Sequence, residues 1–359
     1  VNRFQAKYQY GNINKLDEEQ GEVFEREVNM EYKLLGRTGI KVSQLCFGTM
    51  AFGKEADAGM SEKMFGFCRD KGINFFDCAD VYNEGEAEKI LGRLTKGCRE
   101  EVVIASKVYF PTGKDVNSRG AARYHIMNAV ESSLKRLQTD RIDIYYIHRF
   151  DDVTPVEETL RALDDLVTQG KILYPGASNF AAWQVAKALG EAEKKGWSPF
   201  YCIQPMYNLV KRQAEVEIFP QAQSEGLGVV PYSPLGGGLL TGKYGVDRKP
   251  DSGRLVTNKM YATRYGFDWM YKVAEDFTKF AQSRGFSPAA LAVAWVASHP
   301  AVTCPIIGAR DILQLKDSVD SIQIKMTSEL RKRISSLTPE PPLATDRNEE
   351  KTKYNYGTR

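Results

Sequence analysis

Short apolar runs alternate with longer stretches of helical period along most of this chain. Eight runs stand out: LCFGT (45–49), NFFDCA (74–79), VVIASK (102–107), IDIYYIH (142–148), ILYPGAS (172–178), YCIQPMY (201–207), GVVPYSPL (228–235) and CPIIGA (304–309). All are short and apolar or β-branched, which suits buried strands. Between the fourth and fifth runs, Thr154 is placed to cap a helix, Pro155 to take its first turn, and Glu157 to complete a capping box. Val156, Leu160, Leu163 and Val167 then form an apolar stripe, and Gly170 stands where that helix should end. Eight such βα units over about 260 residues predict an α/β chain folded as a (β/α)8 TIM barrel.

Upstream, MEYKLLGRTGIKVSQL from Met30 reads as two short strands joined at Thr38–Gly39, an N-terminal β-hairpin. Residues 1–29 are polar, mix both signs of charge and keep no period, which predicts a flexible or loosely docked extension. The barrel is expected over 30–338 and a polar, proline-broken tail over 339–359, where Tyr354 and Tyr356 could fold back over the mouth. Residues 236–303 exceed what one crossover needs, so a long Gly-, Lys-, Arg- and Pro-rich loop is expected at the catalytic face.

Composition narrows the function. With 359 residues, 42% of them hydrophobic, the chain can bury one large core. Net charge is only +3 and no basic stripe is interleaved with aromatics, which argues against a nucleic-acid partner. The six cysteines include no C-x-x-C pair, so they read as reduced core residues, with no metal site expected. Neither a bilayer-spanning apolar run nor a signal peptide is evident, and the expectation is a cytoplasmic protein with no membrane partner. A homo-oligomer is compatible with the sequence, which leaves the oligomeric state open.

Four ionisable residues sit at or just beyond strand ends: Asp77, Tyr82, Lys107 and His148. In a parallel barrel the C-terminal strand ends converge on one face, so an acid, a phenol, an ammonium and an imidazole can meet over one pocket. The combination suggests proton transfer. Lys107 would lower the phenol pKa of Tyr82, Asp77 would hold Lys107 charged, and His148 could donate to a substrate carbonyl oxygen. Met50, Phe52, Tyr109, Phe110, Phe150, Phe180, Met206 and Tyr207 follow strands and could line an aromatic pocket. Arg149 could recognise a carboxylate, phosphate or sugar, or brace Asp151 or Asp152.

Seven ordered segments, GINFFDCADVYNEGEAEKILG, VVIASKVY, IDIYYIHRFD, GASNF, IQPMYNL, PYSPLGGGLLTGKY and PIIGAR, resemble the aldo-keto reductase family from about Met30 to Ser336. Within it the TPVEETLRALDDLV helix and the PYSPLGGGLLTGKY loop look most like the bacterial and fungal reductases related to the potassium-channel β subunits. The resemblance implies a barrel that binds NADPH without a Rossmann motif, in keeping with the absence of G-x-G-x-x-G here. It casts Tyr82 as general acid, Lys107 and Asp77 as its tuners, and His148 as the group that orients a small-molecule carbonyl substrate.

By the same resemblance, Thr49 and Met50 flank the nicotinamide ribose, Ser178, Asn179 and Gln204 bind the carboxamide, and Tyr232 stacks on the ring. Ser233, Pro234, Leu235, Gly236, Gly237 and Leu239 would wrap the pyrophosphate, with Lys243 and Arg254 adding positive charge. Gly308, Arg310, Gln314, Asp317 and Ser318 correspond to the adenosine segment, Arg310 being placed for a 2′-phosphate. Ser318 and Asp317 depart from the commoner Asn and Glu. Two alternatives stay open: an NADPH-sensing subunit without significant turnover, and a sugar-alcohol dehydrogenase working oxidatively.

Overall fold

The computed structural model describes residues 30–342 and 344–345. Expectations for residues 1–29 and for the tail beyond 345, Tyr354 and Tyr356 included, lie outside the described residues. A two-stranded antiparallel hairpin, β1 (Tyr32–Leu34) and β2 (Lys41–Ser43), comes first. Its connection is longer than the tight turn expected at Thr38–Gly39. Gly36 takes the left-handed conformation, and Leu35 N–H reaches across the turn to the Ile40 carbonyl.

Eight parallel strands follow: β3 (Cys46–Gly48), β4 (Phe75–Asp77), β5 (Val103–Val108), β6 (Ile142–Ile147), β7 (Ile172–Ser178), β8 (Cys202–Gln204), β9 (Gly228–Val229) and β10 (Ile306–Ile307). Their order in the sheet is β10-β3-β4-β5-β6-β7-β8-β9. The remaining seam is closed by backbone hydrogen bonds, Thr303 N–H to Val229 O at 2.9 Å and Ile306 N–H to Pro231 O at 2.9 Å. The result is a (β/α)8 barrel.

Alternation along the strands sorts the side chains. Cys46, Phe75, Val103, Ala105, Ile144, Tyr146, Cys202, Val230, Cys304 and Ile306 pack together in one buried cluster, the barrel interior. Leu35 and Val42 of the hairpin belong to it, so the hairpin plugs the N-terminal end of the barrel. The alternate residues, among them Phe47, Phe76, Ile104, Tyr145, Ile147 and Ile203, join the larger core beneath the helices. Filling the interior with cysteines and aromatics leaves the opposite end as the place where polar side chains can gather.

Two local expectations change in the structure. The helix after β6 spans Val156–Thr168, but Thr154 does not cap it: its hydroxyl donates to Asp151 Oδ2 at 2.8 Å. Asp151 also accepts from the Ala121 and Val153 amides, so it organises the loop and draws the threonine away from the helix end. Nor is the segment after β9 only a loop. It contains the short helices Arg254–Thr257 and Lys259–Tyr265 before the longer Asp268–Gln282 and Pro288–Ala297.

Candidate active site

The alternation that fills the barrel also aims the chemistry. Asp77 lies two residues beyond the inward Phe75, Lys107 two beyond Ala105, His148 two beyond Tyr146, Gln204 two beyond Cys202, and Tyr232 two beyond Val230. With a side-chain period of two, all five continue the inward face at the C-terminal rim. Tyr82 arrives differently, from the turn Tyr82–Gly85 that leads into helix Glu86–Thr95. Three consecutive residues of that turn are left-handed: Asn83 (φ 50°), Glu84 (φ 58°) and Gly85 (φ 85°). For Glu84 this costs about 1–2 kcal/mol, which the surrounding packing must offset.

Lys107 is fully buried at the centre of the rim. Its ammonium donates to Asp77 Oδ1 at 2.5 Å, to the Cys78 carbonyl at 2.7 Å and to the Tyr82 hydroxyl oxygen at 3.3 Å. An ammonium has three protons, and all three are directed. Asp77 is satisfied on its other oxygen by Gln204 Nε2 at 2.7 Å. Burial pushes the Lys107 pKa down, but Asp77 and Tyr82 outweigh it, and the net direction is up. Lys107 therefore stays charged.

The phenol of Tyr82 is pushed up to about 12. Burial is the main cause, Lys107 acts in the opposite direction, and Asp77 adds to the rise. The net lowering expected from the sequence is thus not found in the protein alone, because loss of water around a phenolate outweighs one ammonium that is already shared with Asp77. The phenol keeps its proton at neutral pH, the state a general acid requires. Its oxygen accepts from Lys107, so its own O–H is left to point elsewhere.

His148 meets Tyr82 edge-on with ring centroids 6.0 Å apart, and Phe110 at 4.9 Å. Burial, helped by Lys107, holds its pKa well below the usual imidazole value, so the ring is neutral. Its Nδ1 is buried without a hydrogen-bond partner among the described residues. The His148 carbonyl accepts from Asn179 Nδ2 at 2.8 Å, Asn179 Oδ1 accepts from the Tyr232 hydroxyl at 2.7 Å, and the Ser178 hydroxyl donates to the Gln204 carbonyl at 2.9 Å. Strands β6 to β9 are thereby tied together at the rim.

One cavity of about 650 Å³ runs from these residues across the C-terminal face. Asp77, Tyr82 and His148 line one end, together with Met50, Phe110, Ser178, Asn179, Gln204 and Tyr232. Ser233, Pro234, Leu235, Gly237, Lys243, Arg254, Gly308, Arg310, Gln314 and Asp317 line the rest. Gly237 is left-handed (φ 68°), and a Cβ there would lie 2.6 Å from Tyr261 Cδ1, so only glycine lets the loop pass this close.

Some expected contacts are not on the wall. Thr49 is buried and donates to the Asp77 carbonyl at 3.0 Å, Leu239 belongs to the core, Gly236 is buried, and the Ser318 hydroxyl turns back to the Gln314 carbonyl at 3.3 Å. Of the proposed aromatic pocket, only Met50 and Phe110 face the cavity. Phe52, Phe180 and Tyr207 are core residues, Phe150 packs on Phe180 and Trp183, Tyr109 packs edge-on to Phe110, and Met206 meets the Tyr265 hydroxyl. Arg149 lines the cavity and lies 3.8 Å from Asp152, both largely exposed.

Sequence reasoning missed Met260, Tyr261 and Arg264, which line the wall from helix Lys259–Tyr265. The sequence carried only a weak signal, the i, i+3 spacing that puts Tyr261 and Arg264 on one helical face; in the fold the guanidiniums of Arg254 and Arg264 lie 5.6 and 5.7 Å from the Tyr261 ring. Lys243, Arg254, Arg264 and Arg310 all line the cavity, and none of them is ion-paired among the described residues. Four such cations around one cavity suit an anionic ligand of the phosphate class.

The family model described as "Aldo/keto reductase family" matches residues 44–339. The chain belongs to the aldo/keto reductase family. It is 40% identical over 327 residues to "Uncharacterized oxidoreductase YrpG" of Bacillus subtilis (strain 168), covering 87% of this chain and 97% of that one. It is 36% identical to a "Probable voltage-gated potassium channel subunit beta" of Oryza sativa subsp. japonica, covering 88% and 99%. Identity to "Versiconal hemiacetal acetate reductase" of Aspergillus parasiticus is 33%, covering 84% and 94%. As a member of this family the protein is an oxidoreductase. Among the described residues, no helix is long and apolar enough to cross a membrane, and no group of His, Cys, Asp and Glu is arranged to hold a metal ion.

Proposed function

We propose that this aldo/keto reductase reduces aldehydes and ketones to alcohols, reversibly and with NADPH, and that Tyr82 is its general acid. The observation that carries the reading is the Lys107 ammonium, whose three protons go to Asp77, the Cys78 carbonyl and the Tyr82 oxygen. Because the phenol oxygen accepts from Lys107, its proton is available to a carbonyl oxygen in the cavity. The phenolate left behind sits beside an ammonium that Asp77 keeps charged and Gln204 helps orient. His148, neutral, offers one ring N–H to the same carbonyl oxygen and stabilises the charge developing there.

When bound, NADPH supplies the hydride that reaches the carbonyl carbon. The wall is suited to hold it. Ser178, Asn179 and Gln204 offer the polar groups a carboxamide needs, Tyr232 an aromatic face, and Lys243, Arg254, Arg264 and Arg310 the charge for phosphates. Arg310 is the favoured partner for a 2′-phosphate, since a guanidinium can grip one in a bidentate manner.

The test is turnover of reduced nicotinamide, followed by its absorbance, against a panel of aldehydes and ketones with wild type and Tyr82→Phe. The variant should lower kcat by about 10²–10⁴-fold and leave NADPH binding within about twofold. Turnover that survives the substitution would remove Tyr82 as the acid. Tight NADPH binding with no turnover on any carbonyl would overturn the reductase reading in favour of a cofactor-sensing subunit.

A further inference from the structure

Asn83 follows Tyr82 directly and holds a left-handed backbone. Its side-chain amide reaches away from its own turn to the loop after β3, donating to the Met50 carbonyl at 3.1 Å and to the Phe52 carbonyl at 2.6 Å. Both acceptors are carbonyl oxygens, so the amide nitrogen and not its oxygen must face them, and both of its protons are used. Met50 lines the cavity beside Tyr82. One residue therefore bolts the turn that carries the phenol to the loop that walls the same pocket.

The two segments also pack where they meet. Gly53 is left-handed, and a Cβ there would lie 2.9 Å from Glu86 Cγ and 3.2 Å from Ile90 Cδ1 of the helix that follows the Tyr82 turn. Within the β3 loop, Phe52 N–H bonds Thr49 O, Gly53 N–H bonds Ala56 O, and Ala56 N–H bonds Ala51 O, which makes it a small hydrogen-bonded unit. The Tyr82 turn is closed by backbone bonds at each end, Tyr82 N–H to Ala79 O at 3.1 Å and Glu86 N–H to the Tyr82 and Asn83 carbonyls, with a long 3.4 Å bond from Glu84 N–H to Val81 O between them, and none of these ties it to the β3 loop. Two consecutive non-glycine residues in left-handed conformation persist only where the surroundings impose them, and the two bonds from Asn83 do so here.

We infer that Asn83 is a positioning residue, which fixes the Tyr82 hydroxyl relative to the cavity wall by clamping the Tyr82 turn to the Met50–Phe52 loop. The inference rests on the reading of Tyr82 as the acid, but the clamp can be tested without turnover. Asn83→Gly is the informative variant, because glycine accepts the left-handed backbone freely while losing both hydrogen bonds. Asn83→Asp keeps a residue tolerant of that backbone but sets a carboxylate against two carbonyl oxygens.

Hydrogen exchange of the ligand-free protein is the first measurement. In Asn83→Gly, the amides of Phe52, Gly53, Tyr82 and Glu84 should exchange together, faster by about tenfold or more, with the rest of the barrel unchanged. Unchanged exchange at these amides would overturn the clamp whether or not the wild type turns over. Where wild type reduces a carbonyl, kcat of Asn83→Gly should fall about tenfold with KM for the carbonyl within about twofold, and the solvent deuterium isotope effect on kcat should rise as proton transfer becomes limiting. Asn83→Asp should show the same pattern more strongly. Faster exchange with kcat and isotope effect unchanged would leave Asn83 a structural residue and overturn its positioning role.

Discussion

The two ends of the cavity are built on opposite principles. At the Tyr82 end the charged groups satisfy one another, Lys107 directing all three protons and Asp77 using both oxygens, which leaves only the Tyr82 hydroxyl proton and the His148 ring free to meet a ligand. At the other end Lys243, Arg254, Arg264 and Arg310 face the cavity with no ion-pair partner among the described residues. One end is organised before anything binds, and the other presents charge that a ligand must complete. Such a division suits catalysis, since fixed dipoles at the reacting centre cost nothing to rearrange, whereas binding energy is gathered from groups remote from it.

The sharpest way to break the contrast is to remove the centre of the organised end. Lys107→Met strands the buried Asp77 charge, and should cost about 3–5 kcal/mol of stability by denaturant melts together with most of kcat. A variant that stayed as stable as wild type would show that the network is not as closely coupled as its distances imply. Truncation at the open end should act elsewhere. Arg310→Ala should raise the apparent Kd for NADPH by about 10–100-fold, leave the stability of the ligand-free protein within about 0.5 kcal/mol, and discriminate less between NADPH and NADH. Equal weakening for both cofactors would relocate the 2′-phosphate away from Arg310.

A smaller effect sharpens the organised side further. Asp80 is buried just behind the rim, its carboxylate making no hydrogen bond of good geometry among the described residues although the Val81 amide lies close enough to favour its charge, and its pKa is raised to about 8. Burial is the main cause and Glu88 adds to it, while Arg136, the Val81 amide and Lys107 oppose it; the Tyr145 phenol also feels its charge. A carboxyl raised in the fold stabilises fully below its unfolded pKa, about 4, and the contribution is lost as pH rises toward about 8. Asp80→Asn cannot ionise. Its stability relative to wild type should therefore improve by about 3 kcal/mol on going from about pH 6 to about pH 9. A pH-independent difference would mean that Asp80 finds hydration or a partner that keeps it ionised.

Legibility in the sequence followed the physics of each region. Seven of the eight barrel strands fell within the apolar runs and β5 overran its run by one residue, Val108, because a buried strand must be apolar on both faces and so announces itself. The β9 run was longer than its two-residue strand: Pro231 lacks an amide, and the chain beyond it pairs only through a single bridge between Tyr232 and Met206. Thr154 carried every mark of a helix cap, yet Asp151 three residues earlier competes for its hydroxyl. Met260, Tyr261 and Arg264 were missed because a surface helix with a basic, aromatic face reads as ordinary until its neighbours are known.

By itself, then, the sequence determined the alternation of strands and helices and the residues at the strand ends, since both depend on periodicity and burial, which are local. Tertiary structure decided what those residues do to each other. Whether Lys107 lowers the Tyr82 pKa depends on how burial competes with an ammonium already shared with Asp77, and that balance is set by distances between β4, β5 and the turn beyond them. The bonds from Asn83 to Met50 and Phe52 likewise span more than thirty residues of chain. Electrostatics and hydrogen bonding act through space at a few ångströms, and only folding brings groups so far apart in the chain to that range.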